Sequence, residues 1–178
     1  MSNQAEPVGV RLGAAVQGYQ GAVDDFDREL ARLMGVNETD LRCLEILLGV
    51  EQIAPKQLAE RLGLTTGSVT TMLDRLEKLE YLTRSPNPAD GRSSLIRITQ
   101  AAALRAYGLI GPFLDDATRR ILERFEPEQL ETVIAFLTVN REIQEEHTAR
   151  LRAQPAPRPP RSGGRQSPGP RTGTGGTT

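Results

Sequence analysis

The chain has 178 residues, a formal net charge of −1, 38% hydrophobic and 25% charged residues, which is enough for one ordinary domain with a core of its own. A single cysteine, Cys43, excludes an intramolecular disulfide framework and suits a reducing compartment; 4% aromatics with no tryptophan make a poor stacking surface for single strands. With no signal-peptide pattern, and no apolar run near the roughly 18 residues of a membrane span, a cytoplasmic protein is expected.

After an N-terminus over residues 1–7 that is expected to be flexible, residues 8–34 set Val8, Leu12, Ala15, Tyr19, Ala22, Phe26, Leu30 and Leu33 at steps of three and four. This is the apolar stripe of an amphipathic helix. Gly13, Gly18 and Gly21 weaken such a helix by about 1 kcal/mol each, so it needs a surface to pack on. Gly35 ends it. Asn37 caps a second helix, with Asp40 three residues on as an approximate capping box. Leu41, Leu44, Leu47 and Leu48 form its buried face.

Pro55 opens a third helix, Pro55 to Leu62, and Gly63 closes it in a left-handed conformation. Only Leu64 then precedes Thr65, the N-cap of a fourth helix from Thr66 to about Glu80. Two helices joined so tightly cross steeply, which is helix-turn-helix geometry. Val69, Met72, Leu73, Leu76 and Leu79 face inward along the fourth helix. Thr66, Gly67, Thr70 and Thr71 lie outward at its start. Glu and Lys would serve solubility better there; small polar side chains suit a helix whose N-terminal end enters a DNA major groove.

The period then changes to two. Leu82 to Arg84 and Ser94 to Ile98 read as strands of a hairpin, with a long tip over residues 85–93 dense in turn formers. Arg92 at that tip is placed to reach a minor groove. Thr99 caps a fifth helix that Gly111-Pro112 should kink or interrupt. Pro127 opens a sixth, with Leu130, Val133, Ile134, Leu137 and Ile143 facing inward. The tail over 152–178 carries Arg152, Arg158, Arg161, Arg165 and Arg171, no acid, and much Pro and Gly; it is expected to be disordered.

The order from residue 8 to about 150 resembles the MarR (multiple antibiotic resistance regulator) family. The match is carried by Leu58-Ala59-Glu60-Arg61-Leu62-Gly63-Leu64, by Ser68-Val69-Thr70 and Leu73-Asp74-Arg75-Leu76-Glu77-Lys78-Leu79, and by Asp90-Gly91-Arg92 with Leu95-Ile96-Arg97-Ile98-Thr99. The resemblance implies a mainly α fold with a small β-hairpin wing: a winged helix-turn-helix over 37–99, flanked by dimerisation helices over 8–36 and 100–151. It implies a homodimer whose fourth helices address successive major grooves of a palindromic double-stranded operator. It also implies a minor-groove role for Arg92, a wing-setting role for Asp90, and repression relieved by a small effector, often phenolic in the family. The family often has a basic residue where Thr71 stands, and Arg-Gly where Leu79-Glu80 stands.

The candidate DNA-contacting residues are Thr65, Thr66, Gly67, Ser68, Thr70, Thr71, Arg75, Arg84, Asp90 and Arg92. Ser68 has the alternative of bonding back within its own helix, and Arg75 that of holding Asp74. Residues 61–97 hold six basic side chains against four acidic ones, so affinity is expected to rest on geometry and dimerisation more than on bulk charge. Tyr19, Arg42 and Tyr107 are the candidates for an effector cleft. Cys43 reads as a structural thiol. His147 stands without a partner at metal-ligand spacing, and with no phosphate loop or nucleophile elbow, neither enzyme, metal nor cofactor is expected. The competing reading is a winged-helix protein-interaction module without sequence-specific DNA binding.

Overall fold

The computed structural model describes residues 6–88 and 90–154, with the backbone alone for Asp90, Gly91 and Arg92. The order is α1 (Val8–Met34), α2 (Glu38–Leu48), α3 (Pro55–Leu62), α4 (Thr66–Lys78), β1 (Leu82–Asn87), β2 (Asp90–Ile98), α5 (Gln100–Arg124) and α6 (Pro127–Arg152). Residues up to Glu123 form one unit, and those from Arg124 onward a second.

Helix boundaries follow from local chemistry. Gly35 and Gly63 adopt φ of 72° and 66° after α1 and α3, where a side chain would meet the following carbonyl. Asn37 caps α2 by accepting from the Asp40 amide at 2.8 Å. Thr65 caps α4 through the Ser68 amide at 3.3 Å, and Thr99 caps α5 through the Ala102 amide at 3.1 Å. Gln57 and Gln129 accept from the amides of Ala54 and Glu126 at the starts of α3 and α6, where Pro55 and Pro127 occupy the first helical position. The fourth helix ends at Lys78, two residues before the expected Glu80.

One core lies in the first unit. Met34 from α1, Leu44 and Leu47 from α2, Leu58 from α3, Leu76 from α4, Leu82 from β1 and Ile96 from β2 are all fully buried. The side chains come from successive elements at helical or alternating spacing, so the six segments converge on one apolar centre. Ile53 forms a bridge to Ile96, with N–O distances of 3.0 and 2.9 Å. This ties the segment before α3 to the hairpin.

Two expectations are corrected. The hairpin has longer strands and a shorter tip: Leu82 pairs with Ile98 and the ladder continues to Pro86–Ser94 and Asn87–Asp90, with an irregularity between Pro86 and Asn87. β1 is an edge strand whose other side is unpaired, so Pro86, which lacks an N–H, interrupts nothing that the partner needs. α5 runs without interruption through Gly111-Pro112; Pro112 forgoes one hydrogen bond, which neighbouring turns of a 25-residue helix outweigh.

The apolar stripe expected to face inward on α6 is not covered. No residue of α6 is buried. Val133, Ile134, Leu137 and Ile143 are exposed, as are Val8, Leu12 and Tyr19 of α1 and Leu104, Leu114 and Leu122 of α5. The apolar periodicity is legible in the sequence, and among the described residues these side chains remain exposed.

Candidate nucleic-acid interface

α3 and α4 are separated by Gly63, Leu64 and Thr65. Gly63 makes the reversal possible, and the Leu64 amide donates to the Ala59 carbonyl at 3.0 Å to close it. Val69, Met72, Leu73 and Leu76 bury one side of α4, leaving Thr65, Thr66, Gly67, Ser68, Thr70 and Thr71 exposed at its N-terminal end. No Cβ-sized obstacle lies within 4 Å of Gly67. The front of α4 is therefore narrow, polar and open, with unsatisfied helix amides adding partial positive charge.

The hydroxyls on this front are preset by their own backbone. Thr70 Oγ1 donates to the Thr66 carbonyl at 2.9 Å and Thr71 Oγ1 to the Gly67 carbonyl at 3.2 Å. Each such bond leaves the hydroxyl oxygen free to accept a further hydrogen bond. The back-bonding weighed as an alternative for Ser68 is made by these two threonines. Ser68 Oγ lies 2.9 Å from Thr65 Oγ1 and reinforces the cap.

Arg75 and Arg84 are both held by carboxylates. Arg75 donates through Nε to Asp40 Oδ2 at 2.8 Å and through Nη2 to Asp40 Oδ1 at 2.5 Å. Asp40 is 1% exposed, so this bidentate pair bridges α2 and α4 across a partly buried gap. The hydrogen bond to Asp40 raises the Arg75 guanidinium above its ordinary value, with burial pulling the other way. Asp40 accordingly does not complete the expected capping box on α2; its amide serves the cap and its carboxylate serves α4. Arg84 of β1 donates to Asp74 at 2.5 Å and lies 3.3 Å from Glu77, with its Nε in ion-pair range but without hydrogen-bond geometry. Arg84 thus fastens the wing to α4.

The wing carries Asp90 and Arg92 on β2; the positions of their side chains lie outside the described residues, as does the tail from residue 155. At its base, Thr99 Oγ1 donates to the Glu80 carbonyl at 2.8 Å, and Tyr81 OH to the Met34 carbonyl at 2.5 Å. Glu80 itself adopts φ of 59°, a left-handed conformation that favours glycine.

The effector candidates separate. Tyr19 lines an apolar cleft of about 420 Å³ between α1, α2 and α5, whose walls include Phe26 and Phe113; these two rings lie 4.8 Å apart at 37°. Arg42 lines a neighbouring polar depression of about 260 Å³. Tyr107 lines neither and is 54% exposed. Phe26 was read from the sequence only as part of a stripe; its pairing with Phe113, across 87 positions, has no local signal. Cys43 is fully buried, and burial followed by the charge of Asp40 pushes its thiol up to about 12. A thiolate is thereby suppressed, in keeping with a structural role. Among the described residues no cluster of His, Cys, Asp or Glu is arranged to hold a metal ion, and no helix is long and apolar enough to cross a membrane.

Comparison with known proteins agrees with this geometry. The sequence profile of the MarR family matches residues 36–94. The chain is 32% identical over 127 residues to the uncharacterized HTH-type transcriptional regulator YcgE of Bacillus subtilis, a match covering 71% of this chain and 82% of that protein. Among solved structures it resembles RV1404 from Mycobacterium tuberculosis (TM-score 0.60, 23% identity, 80% of this chain and 97% of that one). It also resembles FabT of Streptococcus pneumoniae, solved in complex with DNA (TM-score 0.61, 20% identity, 76% and 96%). Six helices with an antiparallel two-stranded wing among the described residues, and a relative named as a transcriptional regulator, lead to one conclusion: the chain belongs to the MarR family of transcriptional regulators.

Proposed function

We propose that this chain is a homodimeric, sequence-specific regulator of the cytoplasm that represses from a palindromic double-stranded operator and is released by a small effector. The observation that carries the DNA reading is the exposed, narrow front of α4 beside the wing: Thr65, Thr66, Gly67, Ser68, Thr70 and Thr71 are all open on the side opposite the core. FabT, of the same fold, was solved with DNA bound, which supports a groove-reading role for the equivalent face here. α4 enters the major groove, and the wing arginine Arg92, set by Asp90, enters the minor groove. Arg75 and Arg84 act mainly as positioning residues, because Asp40, Asp74 and Glu77 already occupy them.

The dimer reading rests on the uncovered apolar side chains of α1, α5 and α6. Such stripes are exposed at a cost of about 25 cal/mol per Å² and are covered most economically by the same stripes of a second copy. Residues 8–36 and 100–151 then supply the dimer, and 37–99 the reader. The apolar cleft of Tyr19, Phe26 and Phe113 adjoins both regions and is the place for an effector.

Selection of bound duplexes from a random pool tests the proposal. An inverted repeat with half-sites about one helical turn apart is expected. Recovery of random sequence with no shared motif contradicts it and favours the protein-interaction reading.

A further inference from the structure

We infer that the cleft between α1, α2 and α5 takes an aromatic monocation, with the ligand's ring against Phe26 and Phe113 and its charge at Asp27. This rests on reading the cleft as the effector site and goes on to name the ligand's class. Its volume of about 420 Å³ is that of a small-molecule site.

The walls are aromatic at Tyr19, Phe26 and Phe113 and aliphatic at Val23, Leu30 and Ile110. The charged lining residues are Asp27 and Glu45, both carboxylates. Glu45 is already matched: Arg42 donates to it at 3.0 Å. Asp27 is half-buried and makes no hydrogen bond or ion pair among the described residues. A carboxylate without a partner on an apolar wall is costly unless something cationic meets it.

The surroundings reinforce that polarity. Asp27 and Glu45 also form the shared edge with the polar depression, where Asp24 and Glu38 join them against only Arg28 and Arg42. Both guanidiniums are committed, Arg28 to Asp25 at 2.6 Å with Glu38 at 3.7 Å, and Arg42 to Glu45. A phenolate or carboxylate in the cleft meets a negative edge and, among the described lining residues, no cation that is not already paired. A cation gains both the carboxylate and the ring faces, whose quadrupoles attract positive charge.

Calorimetric titration of the full chain with N-methylquinolinium, naphthol and naphthoate tests this, the three probes sharing a ring size and differing in charge. The quinolinium is expected to bind at least about tenfold more tightly than naphthol, and naphthoate not measurably. Asp27→Asn should bring quinolinium down to the naphthol affinity, with a thermal melt to verify folding. Arg42→Ala, a change at an exposed side chain that releases Glu45, should tighten quinolinium binding several-fold and leave naphthol unchanged. Naphthol or naphthoate binding as tightly as quinolinium overturns the cation assignment while leaving an effector site in place. Quinolinium affinity indifferent to both variants also overturns it. Binding of none of the probes counts against the effector reading itself, and with it against the cation assignment.

Discussion

Asp40 and Arg75 illustrate how a residue can serve an interface without touching its ligand. Sequence placed Arg75 among the candidate DNA contacts and Asp40 in a helix cap; the structure joins them, 35 positions apart, in a bidentate pair. Removing Arg75 strands a buried carboxylate, so Arg75→Ala is expected to destabilise the fold by about 3 kcal/mol, read from urea unfolding. Arg92→Ala, in contrast, should leave the unfolding midpoint unchanged and weaken DNA binding. Glu80 makes the opposite case, since the family's usual glycine would relieve its left-handed backbone. Glu80→Gly is expected to stabilise by about 0.5–1 kcal/mol, after allowance for the extra freedom of the unfolded glycine. Cys43 adds a pH signature. Its folded thiol ionises near 12 against an ordinary value of 9.0, so the unfolded chain loses its proton first as pH rises. The contribution is intact below about pH 9 and is lost progressively toward pH 12, a slope that Cys43→Ala should remove from the pH dependence of unfolding.

At the scale of elements, legibility depended on whether the deciding interaction was local. Helix starts and stops were readable because Asn37, Gly63, Thr65 and Thr99 act within four residues of themselves. The wing was misjudged at its tip, where Pro86 and Asn87 are turn formers in isolation but lie on the free edge of a two-stranded ladder. Pro112 misled for a related reason: its local penalty is real, yet a long helix absorbs it. What sets the wing against α4 was not readable, because Arg84 finds Asp74 and Glu77 only after folding. Arg84→Ala should therefore loosen the wing, seen as faster amide exchange over residues 82–98, with a smaller loss of DNA affinity than Arg92→Ala gives.

The whole molecule poses a different problem, since its terminal helices carry apolar stripes that one copy leaves in water. Ile134 is 55% exposed and Leu137 51%, values at odds with their helical periodicity unless another surface meets them. The sequence announced those stripes and, through its family resemblance, a dimer; which side chains remain uncovered emerged only from the fold. Leu137→Glu is expected to shift sedimentation from dimer to monomer and to abolish operator binding while leaving the residues 30–98 core folded. The central claim, that α4 and the wing read DNA sequence, is tested most directly by a competitive mobility-shift titration on the selected duplex. The wild-type chain should prefer that duplex to random DNA by about 10³-fold or more at physiological salt, and Arg92→Ala should lose affinity at unchanged stability. Equal affinity for both duplexes, with Arg92→Ala indistinguishable from the wild type, would contradict it.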